Sequence, residues 1–108
     1  MRTAVVILNW NGLHWLQRFL PGVVAHTLAD AQVIVADNAS TDGSVDWLRR
    51  THPQVSVIQL PSNLGFAGGY NAALAQVEAD LYVLLNSDVE VGPGWVPALA
   101  AYLGRDAR

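Results

Sequence analysis

The sequence predicts an α/β domain, an open and mostly parallel sheet with helices on both faces. Three observations point there. Short, apolar, β-branched runs alternate with longer stretches of helical periodicity. The connections between them are only a few residues long. Polar residues gather directly after each apolar run, where the carboxyl ends of parallel strands meet ligands. The order reads βαβαβαβ(β)α, and right-handed crossovers lay such strands side by side.

The first run, Ala4–Leu8, is continuously apolar, as suits a central strand buried on both faces. After Asn9-Trp10-Asn11-Gly12, apolar residues recur at Leu13, Leu16, Phe19, Leu20, Val23 and Val24, which is one helix face. Pro21-Gly22 lies inside that stretch and predicts a kink or break near Leu20. Val33–Ala36 is the second strand, Asp37–Gly43 a polar turn, and Ser44–Arg50 a short helix carrying Trp47 and Leu48. Val55–Leu60, preceded by Pro53 and closed by Pro61, is the third strand. Asn63–Gly69 reads as a glycine-rich loop and a helix follows from about Ala67 to Val77. Leu81–Leu85 is the fourth strand and the most hydrophobic. Val89–Val91 has the length of a short extra strand, and Pro93 suits the first turn of a last helix through Leu103.

With 108 residues the chain suffices for one domain and not two. Its apolar fraction of 52% excludes a disordered or fibrous chain. The formal charge is −3, there is no lysine, and the six arginines are scattered apart from Arg49-Arg50. Without a basic stripe to neutralise phosphates, a nucleic-acid partner is not expected. The absence of cysteine excludes disulfides, thiolate metal sites and a cysteine nucleophile. No run approaches the ~18 apolar residues of a membrane span. Met1-Arg2-Thr3 leads straight into the first strand, which argues against a cleaved signal peptide. A soluble intracellular domain is the expectation. The end, Gly104-Arg105-Asp106-Ala107-Arg108, stops just after a helix, as in a chain cut from something longer.

Strand one ends at Asn9, strand two at Asp37, strand three at Ser62-Asn63, and strand four at Asn86-Ser87-Asp88, so four polar clusters share one rim. Ser40 and Asp42 suit a turn and helix cap as well as a ligand contact. Asp37 directly follows a buried strand, where an unpaired carboxylate is costly; it suits a hydrogen bond from a base or ribose. The closely spaced glycines Gly65, Gly68 and Gly69 allow either a backbone approach to an anionic ligand or close packing on the sheet. The dinucleotide fingerprint is missing after the first strand, and a P-loop requires a lysine. Asp88 follows the most apolar strand and suits one ligand of a hard divalent cation shared with a diphosphate, with a turn carboxylate as the other reading. Glu90 faces away from Val89 and Val91 and is expected in solvent. His14, His26 and His52 share no face and no metal-ligand spacing. Trp10 and Trp95 suit packing or stacking on a ligand.

Four motifs then carry a resemblance: Val5-Val6-Ile7-Leu8-Asn9-Trp10-Asn11, Val35-Ala36-Asp37-Asn38-Ala39-Ser40-Thr41-Asp42-Gly43-Ser44, Asn63-Leu64-Gly65-Phe66-Ala67-Gly68-Gly69-Tyr70-Asn71, and Leu84-Leu85-Asn86-Ser87-Asp88-Val89. In this order and spacing they resemble the N-terminal half of family 2 glycosyltransferases with the GT-A fold, in particular the bacterial rhamnosyltransferase-like branch. The resemblance implies a single nucleotide-sugar-binding domain over residues 1–108, the start of a longer enzyme. That enzyme would be an inverting transferase moving a sugar from a nucleotide diphosphate to an acceptor hydroxyl, in cell-surface polysaccharide synthesis.

By the same resemblance, the segment Asn9-Trp10-Asn11 and Asp37 hold the base, with Ser40 and Asp42 beside them. Asn71 and the glycines Gly65 and Gly68 border base and diphosphate. Asn86-Ser87-Asp88 stands where the family has Asp-x-Asp: Asp88 becomes the ligand of Mg²⁺ or Mn²⁺, and Asn86 replaces the first aspartate. The implied donor is linked to dTDP, UDP or GDP, with a tilt to dTDP-rhamnose, and the implied acceptor is a glycan or lipid-linked saccharide. Location is expected in the cytoplasm, at the inner face of the membrane for a longer protein. No carboxylate here suits the general base, which is expected beyond Arg108, since the chain ends about twenty residues after Asp88. Uncovered apolar surface on a truncated sheet would favour homo-oligomers. A non-catalytic nucleotide-binding or interaction module is the alternative from another class. A nucleotidyltransferase would need a Gly-rich, Arg- or Lys-bearing loop where Asn9-Trp10-Asn11-Gly12 stands.

Overall fold

A computed structural model describes residues Arg2–Asp106, with side chains through Tyr102. Ala107 and Arg108, and with them the end of the chain discussed above, lie outside the described residues, as does Met1. Eight elements alternate: β1 (Thr3–Asn9), α1 (Leu13–Thr27), β2 (Gln32–Asp37), α2 (Ser44–Thr51), β3 (Ser56–Gln59), α3 (Gly65–Leu74), β4 (Leu81–Asn86) and α4 (Trp95–Asp106).

The four strands are all parallel, in the order β3-β2-β1-β4. β1 is central, as its unbroken apolar run requires, with Ala4, Val5 and Val6 fully buried. Its register aligns Asn9 with Asp37 of β2 and Leu8 with Asn86 of β4, so the polar ends of three strands stand level. Successive side chains alternate between two faces. On one face Val5, Ile7, Val33, Val35 and Leu85 pack with Leu16, Leu20, Val23 and Val24 of α1 and Leu48 of α2, and Trp95 of α4 joins them. On the other, Ala4, Val6, Ile34 and Ala36 pack with Tyr70 and Ala73 of α3 and with Val77. Each such valine or leucine contributes about 1.5–3 kcal/mol on burial.

Several elements differ from the expectations. α1 runs unbroken through Pro21. Pro21, Gly22 and Gln17 are all exposed, so water can satisfy the Gln17 carbonyl that a proline N–H cannot reach. The glycine loop closes at Leu64: Gly65, Gly68 and Gly69 belong to α3, which begins two residues before Ala67 and ends at Leu74. Val89–Val91 forms no strand; Val89 and Val91 pack against the α1-side core and Glu90 is exposed. α4 begins at Trp95 after Gly94, whose φ is +73°, and the proline in its first turn is Pro97 instead of Pro93. Helices cover both faces, yet β4 lies at an edge where Tyr82 and Leu84 stay exposed. No helix among the described residues is long and apolar enough to cross a membrane.

Candidate functional site

At the carboxyl ends of the strands, hydrogen bonds stitch three loops into one rim. Asn9 is fully buried at the end of β1 and donates through Nδ2 to Asp37 Oδ1 at 2.9 Å and to Ser40 Oγ at 3.3 Å. Asp37, only 2% exposed, accepts the Ser40 N–H on its other oxygen at 2.9 Å. Its carboxylate is therefore partnered on both oxygens by the protein itself, which resolves the cost of burying it. Asn11 reaches across to the same loop. Its N–H donates to Ser40 Oγ at 2.8 Å and its Oδ1 accepts from the Thr41 N–H at 2.7 Å. Asn11 and Ala39 both have positive φ, +49° and +64°, an unusual backbone for residues with a side chain and one that these hydrogen bonds hold in place.

Asp42 completes the stitching. One oxygen accepts the Leu13 N–H at 2.9 Å, at the start of α1, and the other accepts the Ser44 N–H at 3.0 Å, at the start of α2, together with the Ser44 hydroxyl. Burial pushes its pKa up, and the hydrogen bonds from Ser44 and from the Leu13 and Ser44 amides outweigh this, leaving it below the ordinary carboxylate value. One carboxylate thus caps two helices, α2 in sequence and α1 across the loop.

Two residues without a separately assigned role at the level of sequence turn out to place the third loop. Asn38, buried beside Asp37, accepts the Leu64 N–H at 2.9 Å and donates to the Gly65 carbonyl at 3.0 Å, so it fixes the entry to α3. Tyr70, buried on α3, donates its hydroxyl to the Leu85 carbonyl at 3.1 Å and accepts the Leu8 N–H at 3.4 Å, tying the ends of β1 and β4 together. Burial raises its pKa, and the bond from Leu8 offsets part of that rise. Their polar type beside a strand end was the signal for Asn38; nothing local marks Tyr70, because its partners lie in other strands.

The glycines split between two roles. Gly65 has φ +77°, a left-handed backbone at the first residue of α3. A Cβ on Gly69 would stand 2.8 Å from a Leu8 methyl and 3.0 Å from Asn38 Nδ2, so this glycine brings α3 onto β1. A Cβ on Gly68 would meet only Leu64, at 3.2 Å. A Cβ on Gly12 would stand 2.6 Å from Asn9 Oδ1, so this glycine makes room for the Asn9 side chain, while Ser87 Oγ, at 3.6 Å, would be in ordinary contact. Asn9 Oδ1 itself is buried with no hydrogen-bond partner among the described residues.

Asn86 and Asp88 are exposed, with Ser87 half-buried between them. Asn71 is exposed on α3 and does not line the groove beside β1. That groove is lined by Leu8, Trp10, Asn38, Asn63, Gly65 and Phe66. Trp10 is 56% exposed and Phe66 68%. Trp95, by contrast, donates its indole N–H to Thr27 Oγ1 at 3.0 Å and serves packing. His52 stands half-buried against Trp47, its pKa lowered by burial, and His14, in the first turn of α1, packs on Trp15.

A divalent cation fits this rim only in part. No group of three or more His, Asp or Glu side chains converges among the described residues. Asp88 and Asn86 offer hard oxygen atoms of the kind Mg²⁺ and Mn²⁺ prefer, enough for shared coordination with a ligand's phosphates and too few for a protein-only cage.

Comparison with known proteins gives a consistent picture. The model of glycosyl transferase family 2 matches residues 4–108. An N-acetylglucosaminyl-diphospho-decaprenol L-rhamnosyltransferase of Mycobacterium tuberculosis is 30% identical over 106 residues, covering 88% of this chain and 34% of that protein. An uncharacterized glycosyltransferase of Nostoc sp. is 30% identical over 91 residues, 82% of this chain and 28% of its own. Among solved structures, S. aureus TarS in complex with UDP-GlcNAc superposes with a TM-score of 0.82 at 22% identity, over 97% of this chain and 32% of that one. The mannosyltransferase PcManGT of Pyrobaculum calidifontis, in complex with GDP-Man and Mn²⁺, gives 0.76 at 24% identity, over 93% and 31%. These likenesses confirm the nucleotide-sugar transferase type of α/β fold. The chain spans about a third of the length of the relatives it matches.

Proposed function

The chain belongs to glycosyl transferase family 2, and from that premise we propose that it forms the donor-nucleotide-binding part of an enzyme that transfers a sugar from a nucleotide diphosphate to an acceptor hydroxyl. The observation that carries this reading is the level, stitched rim. The ends of β1 and β2 and the entry to α3 are locked together by Asn9, Asp37, Asn38, Ser40 and Asp42, and the turn Asn86-Ser87-Asp88 stands beside them. A rim of this kind, at the carboxyl ends of a parallel sheet, is where a nucleotide is held.

In this reading the network preorganises the rim. Asn11, Ser40, Asp37 and Asp42 keep the loops around a nucleoside in place, with Trp10 offered to the base. A bound Mg²⁺ or Mn²⁺ would neutralise diphosphate charge and assist departure of the nucleotide. Asp88, with the Asn86 amide near it, would hold that cation jointly with the phosphates. Inversion at the sugar requires a base that takes the acceptor's proton during attack. Asp37 and Asp42 are held by structural hydrogen bonds, so neither is free to serve as that base. The relative of Mycobacterium tuberculosis, by its name an L-rhamnosyltransferase, supports a rhamnose donor and a lipid-linked saccharide acceptor, with UDP- and GDP-linked sugars, as named in the two structural relatives, as the competing donors. Such an acceptor would place the longer protein at the cytoplasmic face of a membrane.

Calorimetric titration with UDP, dTDP and GDP, with and without Mn²⁺, tests the reading on wild type and Asp88→Ala. Mn²⁺ should strengthen binding of at least one nucleotide, and the variant should lose about tenfold or more of that gain, ~1.4 kcal/mol. Absence of nucleotide binding, or a Mn²⁺ effect that survives in Asp88→Ala, would overturn it.

A further inference from the structure

Phe66 is the most exposed large apolar side chain described in this protein, at 68%, and it stands in the first turn of α3 beside the rim. Exposure of a phenylalanine in the first turn of a helix has no packing benefit to explain it. Its ring is nonetheless held: Tyr70, four residues on, meets it edge-on with centroids 5.1 Å apart and planes at 75°. Tyr70 is in turn buried and anchored on the Leu85 carbonyl. The outcome is a positioned aromatic ring with an open surface. It lines the same groove as Trp10, which comes from the end of β1 and is the second large exposed aromatic there.

The polar groups of that groove are mostly engaged by the fold. Asn38 uses Oδ1 and Nδ2 on Leu64 and Gly65, and Asn63 uses Oδ1 on the Gly65 N–H at 2.9 Å. Asp37, behind them, has both oxygens bonded and almost no exposed surface. What the groove presents to a ligand is chiefly aromatic surface from two separate elements. A planar, uncharged, delocalised group matches such a surface, and in a nucleoside diphosphate that group is the base.

We propose that Phe66 is a base-stacking residue, forming with Trp10 a two-element aromatic slot that holds the nucleobase of the donor by its faces. This rests on the reading of the rim as a nucleotide site and adds to it a specificity: bases are held by stacking more than by their hydrogen-bonding edges. UDP, dTDP and GDP therefore bind with affinities within about tenfold of one another, because every base offers a π-face.

Titration of wild type, Phe66→Ala and Phe66→Trp with UDP, GDP and inorganic pyrophosphate, all with Mn²⁺, tests the proposal. Phe66 is exposed, and far-UV circular dichroism checks that the variants keep the fold. Phe66→Ala should weaken UDP and GDP by about five- to a hundredfold, leave pyrophosphate within twofold of wild type, and Phe66→Trp should restore nucleotide binding. If wild type binds UDP and Phe66→Ala binds it equally well, the stacking role falls while the donor site stands. An equal loss for pyrophosphate and UDP marks a structural effect and also overturns it. If wild type binds no nucleotide at all, the reading of the rim and the role of Phe66 fall together.

Discussion

Asp42 shows how much one side chain decides in this rim. Its two oxygens receive the first amides of α1 and α2, and its pKa lies below the ordinary carboxylate value because those bonds outweigh the cost of burial. A carboxylate whose pKa is lower folded than unfolded stabilises the fold above its unfolded pKa of about 3.9. That contribution fades as pH falls from there through the folded value. Urea denaturation should therefore show wild type losing stability more steeply than Asp42→Asn as pH falls below about 4. At pH 7 the variant should be less stable by about 1–2 kcal/mol, since two helix caps depend on this one group. Parallel pH profiles for the two proteins would count against this account. The cap on α2 is legible in the sequence, from an aspartate just before a short helix. The cap on α1 is not, because Leu13 and Asp42 are brought together only by the pairing of β1 with β2. The same holds for Asp37: its place after a buried strand is plain in the sequence, and its partner Asn9 is supplied by register.

At the level of elements, α3 and its neighbours carry the clearest lesson. A glycine-rich stretch after a strand reads equally as a ligand loop or as a packing device, and Gly69 falls to packing, with Leu8 2.8 Å from where a Cβ would stand. Gly69→Ala should push α3 away from β1 and destabilise the fold by about 1–3 kcal/mol, measured by chemical denaturation. Because Asn38 and the entry to α3 would shift with it, nucleotide affinity should fall as well. An alanine variant as stable as wild type would show that α3 adjusts freely. α3 begins earlier than its local sequence suggests, because glycine is a poor helix former and weighs against helix in a local reading. Here Asn38 and the sheet beneath supply the order that propensity lacks. The uninterrupted α1 has a similar cause: Leu16, Leu20, Val23 and Val24 are buried on both sides of Pro21, and that packing outweighs one missing hydrogen bond on an exposed face.

The whole molecule is a four-stranded sheet with one well-covered face and one covered only in part. β1 and β2 are sandwiched, while β4 lies at an edge with Leu84 50% exposed and Tyr82 beside it on the same face. β4 carries no lysine, proline or other charge that would blunt an open strand edge. This chain in isolation should self-associate through that edge: sedimentation at rising protein concentration should show mass growth, and Leu84→Lys should suppress it. A monomeric wild type across the micromolar range would refute the expectation. The most hydrophobic run of the sequence thus belongs to a half-exposed strand, which composition alone does not reveal. By itself the sequence determined the alternation of strands and helices, the central place of β1, and the four polar clusters at strand ends, because these depend on local periodicity and on burial written into consecutive residues. Only the tertiary structure decided which of those polar groups bond to one another, that Asn38 and Tyr70 fix the rim, and that Trp10 and Phe66 share a groove. Those outcomes depend on strand order and register, which bring together residues dozens of positions apart.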